Sequence, residues 1–245
     1  MHSSRFIVTF ILGALVSTQI WAASPPEFNT TYQLHKFGMN AAEVNISLAK
    51  QTDGSLLYTS KTKTKGLVSM FRSDSITEQA ILENTATHFR PLKYSYIHKG
   101  GKKNRNQSIE FDYANNKARC VTRGKASELD LQKDMHDAFS LQLKIMNDLN
   151  QGKSNLDYQV IHKGKVKHYH FENMGSETIE TDAGTYSAIK LKRSREDGKR
   201  TTYMWLANQL HFLPVQIKHV EKDGTEFSLE IEKVSGPVVD TPATH

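Results

Sequence analysis

The chain's clearest reactive side chains are three histidines, His162, His168 and His170, gathered around one Lys163-Gly164 turn. Alternate residues of a strand share a face, so His168 and His170 could both reach one metal ion. The third ligand depends on the turn. A two-residue Lys163-Gly164 turn sets residue 162 opposite residue 165 and points His162 away from the other two, whereas a three-residue loop would gather all three. Glycine at the second turn position favours the two-residue form, and no metal site is expected.

Other reactive types make weaker patterns. His136-Asp137 matches half of a metal-dependent hydrolase motif, but the remaining acidic and histidine partners are missing at helical spacing, which leaves a pair on a helix surface. Glu110 with Asp112, and Glu230 with Glu232, sit two residues apart on one strand face. A glycosidase could use such a pair, but one-sided sheets show it routinely on their solvated face. The chain has no Gly-x-Ser-x-Gly elbow, no Gly-rich phosphate loop opening a helix and no Cys/His metal spacing. Cys120, the only cysteine, rules out an internal disulfide and reads as a small strand filler. The expectation is a protein that is not an enzyme and carries no cofactor.

Clustered charge is more informative. Lys61, Lys63 and Lys65 share a strand face, and Lys99, Lys102, Lys103 and Arg105 crowd a Gly100-Gly101 tip. Like charges this close cost folding energy unless they are solvated or used. Protection of a sheet edge would account for the first group. The tip, with Lys99, Lys102, Lys103 and Arg105, is the better contact for an anionic surface.

The elements that must position these residues are mostly strands. Ala42, Val44, Ile46 and Leu48 alternate with polar residues, as do Ile76 to Leu82, Leu92 to Tyr96 and Ile109 to Tyr113. Asp53-Gly54, Asn115-Asn116, Lys163-Gly164, Asp197-Gly198 and Asp223-Gly224 mark tight turns, which join antiparallel neighbours. One segment, about 134–150, departs from alternation: Met135, Ala138, Phe139, Ile145, Met146 and Leu149 recur at three- and four-residue steps. It predicts a helix capped at its start by Asp130 or Asp134 and stopped at Gly152. Leu141 and Leu143 widen its apolar arc beyond that of a surface helix. The predicted fold is mainly β: a large curled antiparallel sheet or incomplete barrel of about a dozen strands, packed around this one apolar helix. Phe139, Leu143 and Met146 are the side chains placed to line a hydrophobic ligand, if they do not simply fill the core.

The chain begins with a short segment carrying Arg5, then an uncharged run from Phe6 to about Ile20 and the small residues Ala22, Ala23 and Ser24. This is the pattern of a cleavable export signal. The run of roughly 15 residues falls short of the ~20 that span a bilayer. Residues 1–23 are expected to leave, with cleavage near Ala22 or Ala23. No cysteine lies there to accept a lipid anchor, and no later apolar run suggests a membrane span. Residues 24–234 read as one β-rich domain, and residues 235–245 as a loose tail. The formal charge of +6 loses only Arg5 with the signal. A mildly basic exported protein meets anionic lipid or envelope polymer, not nucleic acid.

Several segments, in order, resemble one bacterial exported family, catalogued as domain of unknown function 3108. They are Gly66-Leu-Val-Ser-Met-Phe-Arg72, Arg90-Pro-Leu-Lys-Tyr-Ser-Tyr96, Glu180-Thr-Asp-Ala-Gly-Thr-Tyr186, Thr202-Tyr-Met-Trp-Leu-Ala207, Leu213-Pro-Val-Gln-Ile217 and Lys222-Asp-Gly224. The resemblance implies an exported β-rich protein with no established activity, so it carries over no functional residue. The closing Trp strand, Leu-Pro-Val strand and Asp-Gly hairpin are also similar to the end of periplasmic lipoprotein carriers of the LolA/LolB type, whose incomplete barrel holds helices over an apolar cavity. The functional expectation is a non-catalytic periplasmic protein that binds a lipid or another hydrophobic or anionic envelope component. The alternative is an envelope interaction protein that docks on a partner through its basic strand faces or hairpin tip.

Overall fold

Alternating apolar and polar residues build sixteen strands among the described residues of a computed structural model, which are 24–65, 74–85, 88–100, 105–194 and 198–240. The proposed signal, the Gly66–Arg72 segment and the tip lysines Lys102 and Lys103 lie outside the described residues.

Eight strands run in the first half: β1 (Phe28–Lys36), β2 (Met39–Lys50), β3 (Leu56–Thr64), β4 (Ser75–Asn84), β5 (Phe89–Lys99), β6 (Arg105–Asp112), β7 (Lys117–Thr122) and β8 (Lys125–Asp130). The middle holds β9 (His136–Asp137), helix α1 (Leu141–Asn150), β10 (Asp157–His162) and β11 (Lys165–His170). The second half comprises β12 (Glu172–Thr181), β13 (Gly184–Ser194), β14 (Arg200–Ala207), β15 (Leu213–Glu221) and β16 (Glu226–Ser235), with a short helix α2 (Pro237–Asp240) after them.

Thirteen strands form one antiparallel sheet in the order β12-β13-β14-β15-β16-β1-β2-β3-β4-β5-β6-β7-β8. It is not closed, so β8 and β12 are its edges. The pairing of β1 with β16 joins the two halves of the chain. Tyr32 strengthens this seam: buried in β1, it donates a 2.8 Å hydrogen bond to the carbonyl of Pro214 in β15. Three short strands, in the order β11-β10-β9, form a second sheet in which β9 runs parallel to β10.

A sheet this long curls, and here it curls around α1. Leu143 and Met146 are fully buried in a cluster with Phe28, Tyr32 and Leu48 from the first half and Val215 and Ile231 from the second. The other side of the helix presents Leu141, Ile145 and Leu149 to Tyr158, Val160, Phe171 and Leu206. Both flanks are therefore covered, which the wide apolar arc demands. Burying one such leucine contributes about 1.5–3 kcal/mol.

The helix is shorter than its periodicity predicts. It begins at Leu141, because Asp134 takes a left-handed conformation (φ 60°) and residues 136–137 pair with β10. The start is fixed by Asp137 rather than by Asp130 or Asp134. One carboxylate oxygen of Asp137 accepts the amides of Phe139 (2.9 Å) and Ser140 (2.8 Å), and the other accepts the Ser140 hydroxyl (2.6 Å). The end matches expectation: Gly152 (φ 70°) donates to Leu149 and Lys153 to Asp148, the glycine-stopped Schellman arrangement.

Two further expectations are corrected. The tail is not loose through 237–240, where α2 forms and Val238 is buried, its amide bonded to the Glu27 carbonyl at 3.1 Å. Nor do Lys61 and Lys63 guard an edge, since β3 lies between β2 and β4. They stand on the outer face opposite Asn45 and Glu43, and Lys65 pairs with Glu43. Polar neighbours and solvent, not an edge, accommodate that charge.

Candidate functional site

Two tight turns bring the site together. Thr122 pairs with Lys125 and His162 with Lys165, which leaves Arg123-Gly124 and Lys163-Gly164 as two-residue hairpin turns. Both residues of each turn have positive φ: 53° and 77° in the first, 53° and 68° in the second. Such turns select Asn, Asp or Gly at their first position, yet here they carry arginine and lysine. The turns also touch. A Cβ on Gly164 would lie 3.0 Å from Ser127 Oγ and 3.6 Å from Thr122 Oγ1, so the β10–β11 turn packs against the β7–β8 hairpin with no room for a side chain.

Register then sets the depth of the inner face. Glu78, Tyr96, Gln107 and Thr122 pair in succession across β4, β5, β6 and β7 and form one row. Tyr94 and Ile109 lie one step deeper, and Arg105 one step nearer the sheet end. Where this face meets the two turns and Ala138, a cavity of about 410 Å³ opens. Arg105, Arg123 and Lys163 line it and are exposed. None of the three enters an ion pair among the described residues. The cavity therefore has a cationic mouth above an aromatic wall of Tyr94 and Tyr96.

Among the described residues one acid lines this space. Glu78 accepts a 2.5 Å hydrogen bond from Tyr94 Oη. Burial pushes its carboxyl up to about 7; the Tyr94 bond opposes that shift and the charge of Asp137 adds to it. Burial likewise raises the Tyr94 hydroxyl well above the usual tyrosine range, helped by the charge of Glu78. Burial also raises the Asp137 carboxyl, against the bonds from Ser140 and Phe139.

The residues expected to do chemistry are scattered. His136 and Asp137 are buried, not on a helix surface. With Ser140 they supply the residue types of a hydrolytic triad but not its wiring. Ser140 donates to Asp137, lies 3.3 Å from His136 Nδ1, and is itself fully buried, so no substrate can reach it. Burial holds the His136 imidazole down to about 3, so it is neutral. His162 faces away from His168 and His170, as the two-residue turn requires; Asp157 sits 2.7 Å from His170 and 3.9 Å from His168. Among the described residues no group of three His, Cys, Asp or Glu side chains is placed to hold a metal ion. Glu230 and Glu232 line a smaller pocket of about 250 Å³ with His35 and Asp182. Cys120 is buried, and burial raises its thiol further from the reactive thiolate.

Of the predicted hydrophobic lining, Leu143 and Met146 have no exposure, and Phe139 stacks on Tyr58 with ring centroids 4.0 Å apart. None of the three lines the 410 Å³ cavity, which Ala138 reaches instead. Of the predicted anionic contact, Lys99 is exposed at the end of β5 and Arg105 stands at the cavity mouth. Sequence reasoning missed Arg123, Glu78, Tyr94 and Tyr96. Arg123-Gly124 did carry a signal: an X-Gly hairpin turn with a cation where Asn or Asp is usual.

An open, curled sheet wrapped on one helix, with a lateral cleft rimmed by cations, defines a β-barrel-like protein whose sheet stops short of closure. The chain belongs to DUF3108, a family of proteins of unknown function, whose pattern matches residues 27–232. Comparison with curated protein sequences returns no match. Among solved structures the fold is similar to that of a β-barrel-like protein of domain of unknown function DUF1849 from Brucella abortus. The TM-score is 0.54 at 9% identity, over 88% of this chain and 99% of that one. A protein of YmcC-like fold from Bacteroides fragilis also matches, with a TM-score of 0.39 and 9% identity over 88% of this chain and 100% of that one. No helix among the described residues is long and apolar enough to cross a membrane.

Proposed function

We propose that this protein is a non-catalytic interaction module of the bacterial envelope, exported by residues 1–23, that docks an anionic envelope component at the cationic mouth formed by Arg105, Arg123 and Lys163. The observation that carries this reading is the convergence of three separate backbone segments on one opening, each contributing a cation with no carboxylate partner among the described residues. Left-handed conformations at Arg123 and Lys163 strengthen it. A non-glycine residue held there costs of order 1 kcal/mol or more, and such strain concentrates where a side chain has a task. Lys102 and Lys103 add charge to the stretch of sequence that precedes Arg105.

The carrier reading, with an acyl chain beside Phe139, Leu143 and Met146, asks two fully buried side chains to leave a packed core. Docking asks for no such rearrangement. The test is co-sedimentation of the mature chain with phosphatidylglycerol vesicles and with phosphatidylcholine vesicles. Docking predicts binding to the first alone, weakening steeply as salt rises from low to physiological ionic strength. Equal binding to both, or to neither, contradicts it.

A further inference from the structure

The mouth leads into a cavity, and the chemistry changes with depth. Cations stand at the rim, Tyr96 with Gln107 one step in, and Tyr94 below them. We propose that this cleft is a binding site for a single-chain anionic amphiphile, its head group held by Arg105, Arg123 and Lys163 and its chain laid against Tyr94, Tyr96 and Ala138. The proposal rests on the reading of the mouth as an anion site and adds an occupant for the space behind it.

Size, polarity and charge agree on that occupant. A cavity of about 410 Å³ lies at the lower end of small-molecule sites, roughly 300–1,000 Å³, which suits one chain and not a bulky multi-chain lipid. A fully polar anion would leave the aromatic wall unused, and a neutral hydrocarbon would leave three cations without a partner. The site is also built rather than incidental, because Gly164 permits the contact with Ser127 and Thr122 that seats one turn on the other.

Glu78 gives the site a pH response. The groups that interact with it are Tyr58, Tyr94, Tyr96 and Asp137, and Arg105, Arg123, His162 and Lys163 line the same cavity. With its proton on, Glu78 presents a neutral wall to the entering anion. With the proton off, it repels the head group. Relative to Glu78→Gln, in which the head group titrates alike, wild-type affinity therefore gains as pH falls through about 7.

The experiment is calorimetric titration of the mature chain with dodecyl phosphate below its micelle concentration, with inorganic phosphate and dodecyl maltoside as head-only and uncharged-chain probes. The proposal predicts one-to-one binding of dodecyl phosphate at least about tenfold tighter than either control. It predicts a further loss of about tenfold in Arg105→Ala and Arg123→Ala, the worth of one charge-assisted hydrogen bond. Ala138→Trp fills the cavity and abolishes dodecyl phosphate binding while leaving vesicle docking intact. Gln107→Trp repeats this from the opposite wall should the first variant fold poorly. Unchanged affinity in a folded cavity-filling variant overturns the proposal. So does equal binding of inorganic phosphate, or of dodecyl maltoside. If vesicle docking fails while dodecyl phosphate still binds, the docking function falls and the cavity site stands.

Discussion

Tyr94 and Glu78 are diagonal neighbours across the β4–β5 boundary, and the tyrosine hydroxyl donates a 2.5 Å hydrogen bond to the carboxyl group inside the sheet's curl. This contact ties a titrating acid to the cavity wall and makes stability depend on pH. The unfolded chain releases the Glu78 proton near 4.5, the folded chain near 7. Between those values the folded state alone keeps it. The contribution of Glu78 is therefore most favourable below pH 4.5, declines as pH rises to 7, and is level above. The total decline is roughly 3 kcal/mol.

Glu78→Gln removes that decline. Urea unfolding of wild type and variant from pH 4 to 8 is expected to show the variant gaining on wild type steadily up to pH 7. Parallel curves would show that Glu78 ionises as freely in the folded chain as in the unfolded one.

His136 acts in the opposite sense. Its imidazole protonates near 6.5 in the unfolded chain and near 3 in the folded one, so its contribution is intact above pH 6.5 and lost as pH falls toward 3. In a His136→Asn variant the fall in stability from pH 6.5 to pH 4 is shallower than in wild type, as read from thermal midpoints across that range.

Gly164 seats one glycine turn on the other. With φ at 68° and Ser127 Oγ 3.0 Å from a Cβ, Gly164→Ala meets both strain and a clash. The expected cost is about 1–3 kcal/mol. Amide exchange should quicken in β10 and β11 before it does in β1 or β2. Exchange that is unchanged in the small sheet would argue against the contact.

The helix end depends on Asp148, whose buried carboxylate accepts both Lys144 (2.6 Å) and Lys153 (2.7 Å) and the Tyr158 hydroxyl (3.1 Å). Burial pushes its pKa up, but the two lysine bonds outweigh burial and hold it below the usual carboxylate range. Asp148→Ala leaves those partners unsatisfied and is expected to lower stability by about 3 kcal/mol. Asp148→Asn is expected to recover part of the loss in the same denaturation series.

Alternation in residues such as Ala42 to Leu48 made the strands and their inner face legible, and the Asp-Gly and Lys-Gly pairs made the sheet antiparallel. The 3.6-residue period around Ile145 and Met146 located the helix and its double-sided cover. It misplaced the start because Met135, Ala138 and Phe139 keep apolar spacing while their backbone is a strand and a turn, and periodicity does not register a change of backbone. The cleft was not legible for a related reason. Glu78, Tyr96, Gln107 and Thr122 meet only through cross-strand register, and Lys163 reaches the same opening only because the small sheet packs there. Arg105 was found because it stands in a visible cluster of charge at a glycine tip, whereas Arg123 is spaced from Arg119 and Lys125 as strand and turn residues commonly are.

The measurement that bears most directly on docking is the binding of a triple charge-reversal variant, Arg105→Glu, Arg123→Glu, Lys163→Glu, to phosphatidylglycerol vesicles, beside a control with Lys61→Glu and Lys63→Glu on the outer face. Docking at the cavity mouth predicts that the triple variant, folded by circular dichroism, no longer binds the vesicles while the control binds as wild type does. Retained binding by the triple variant, or equal loss in the control, would contradict it.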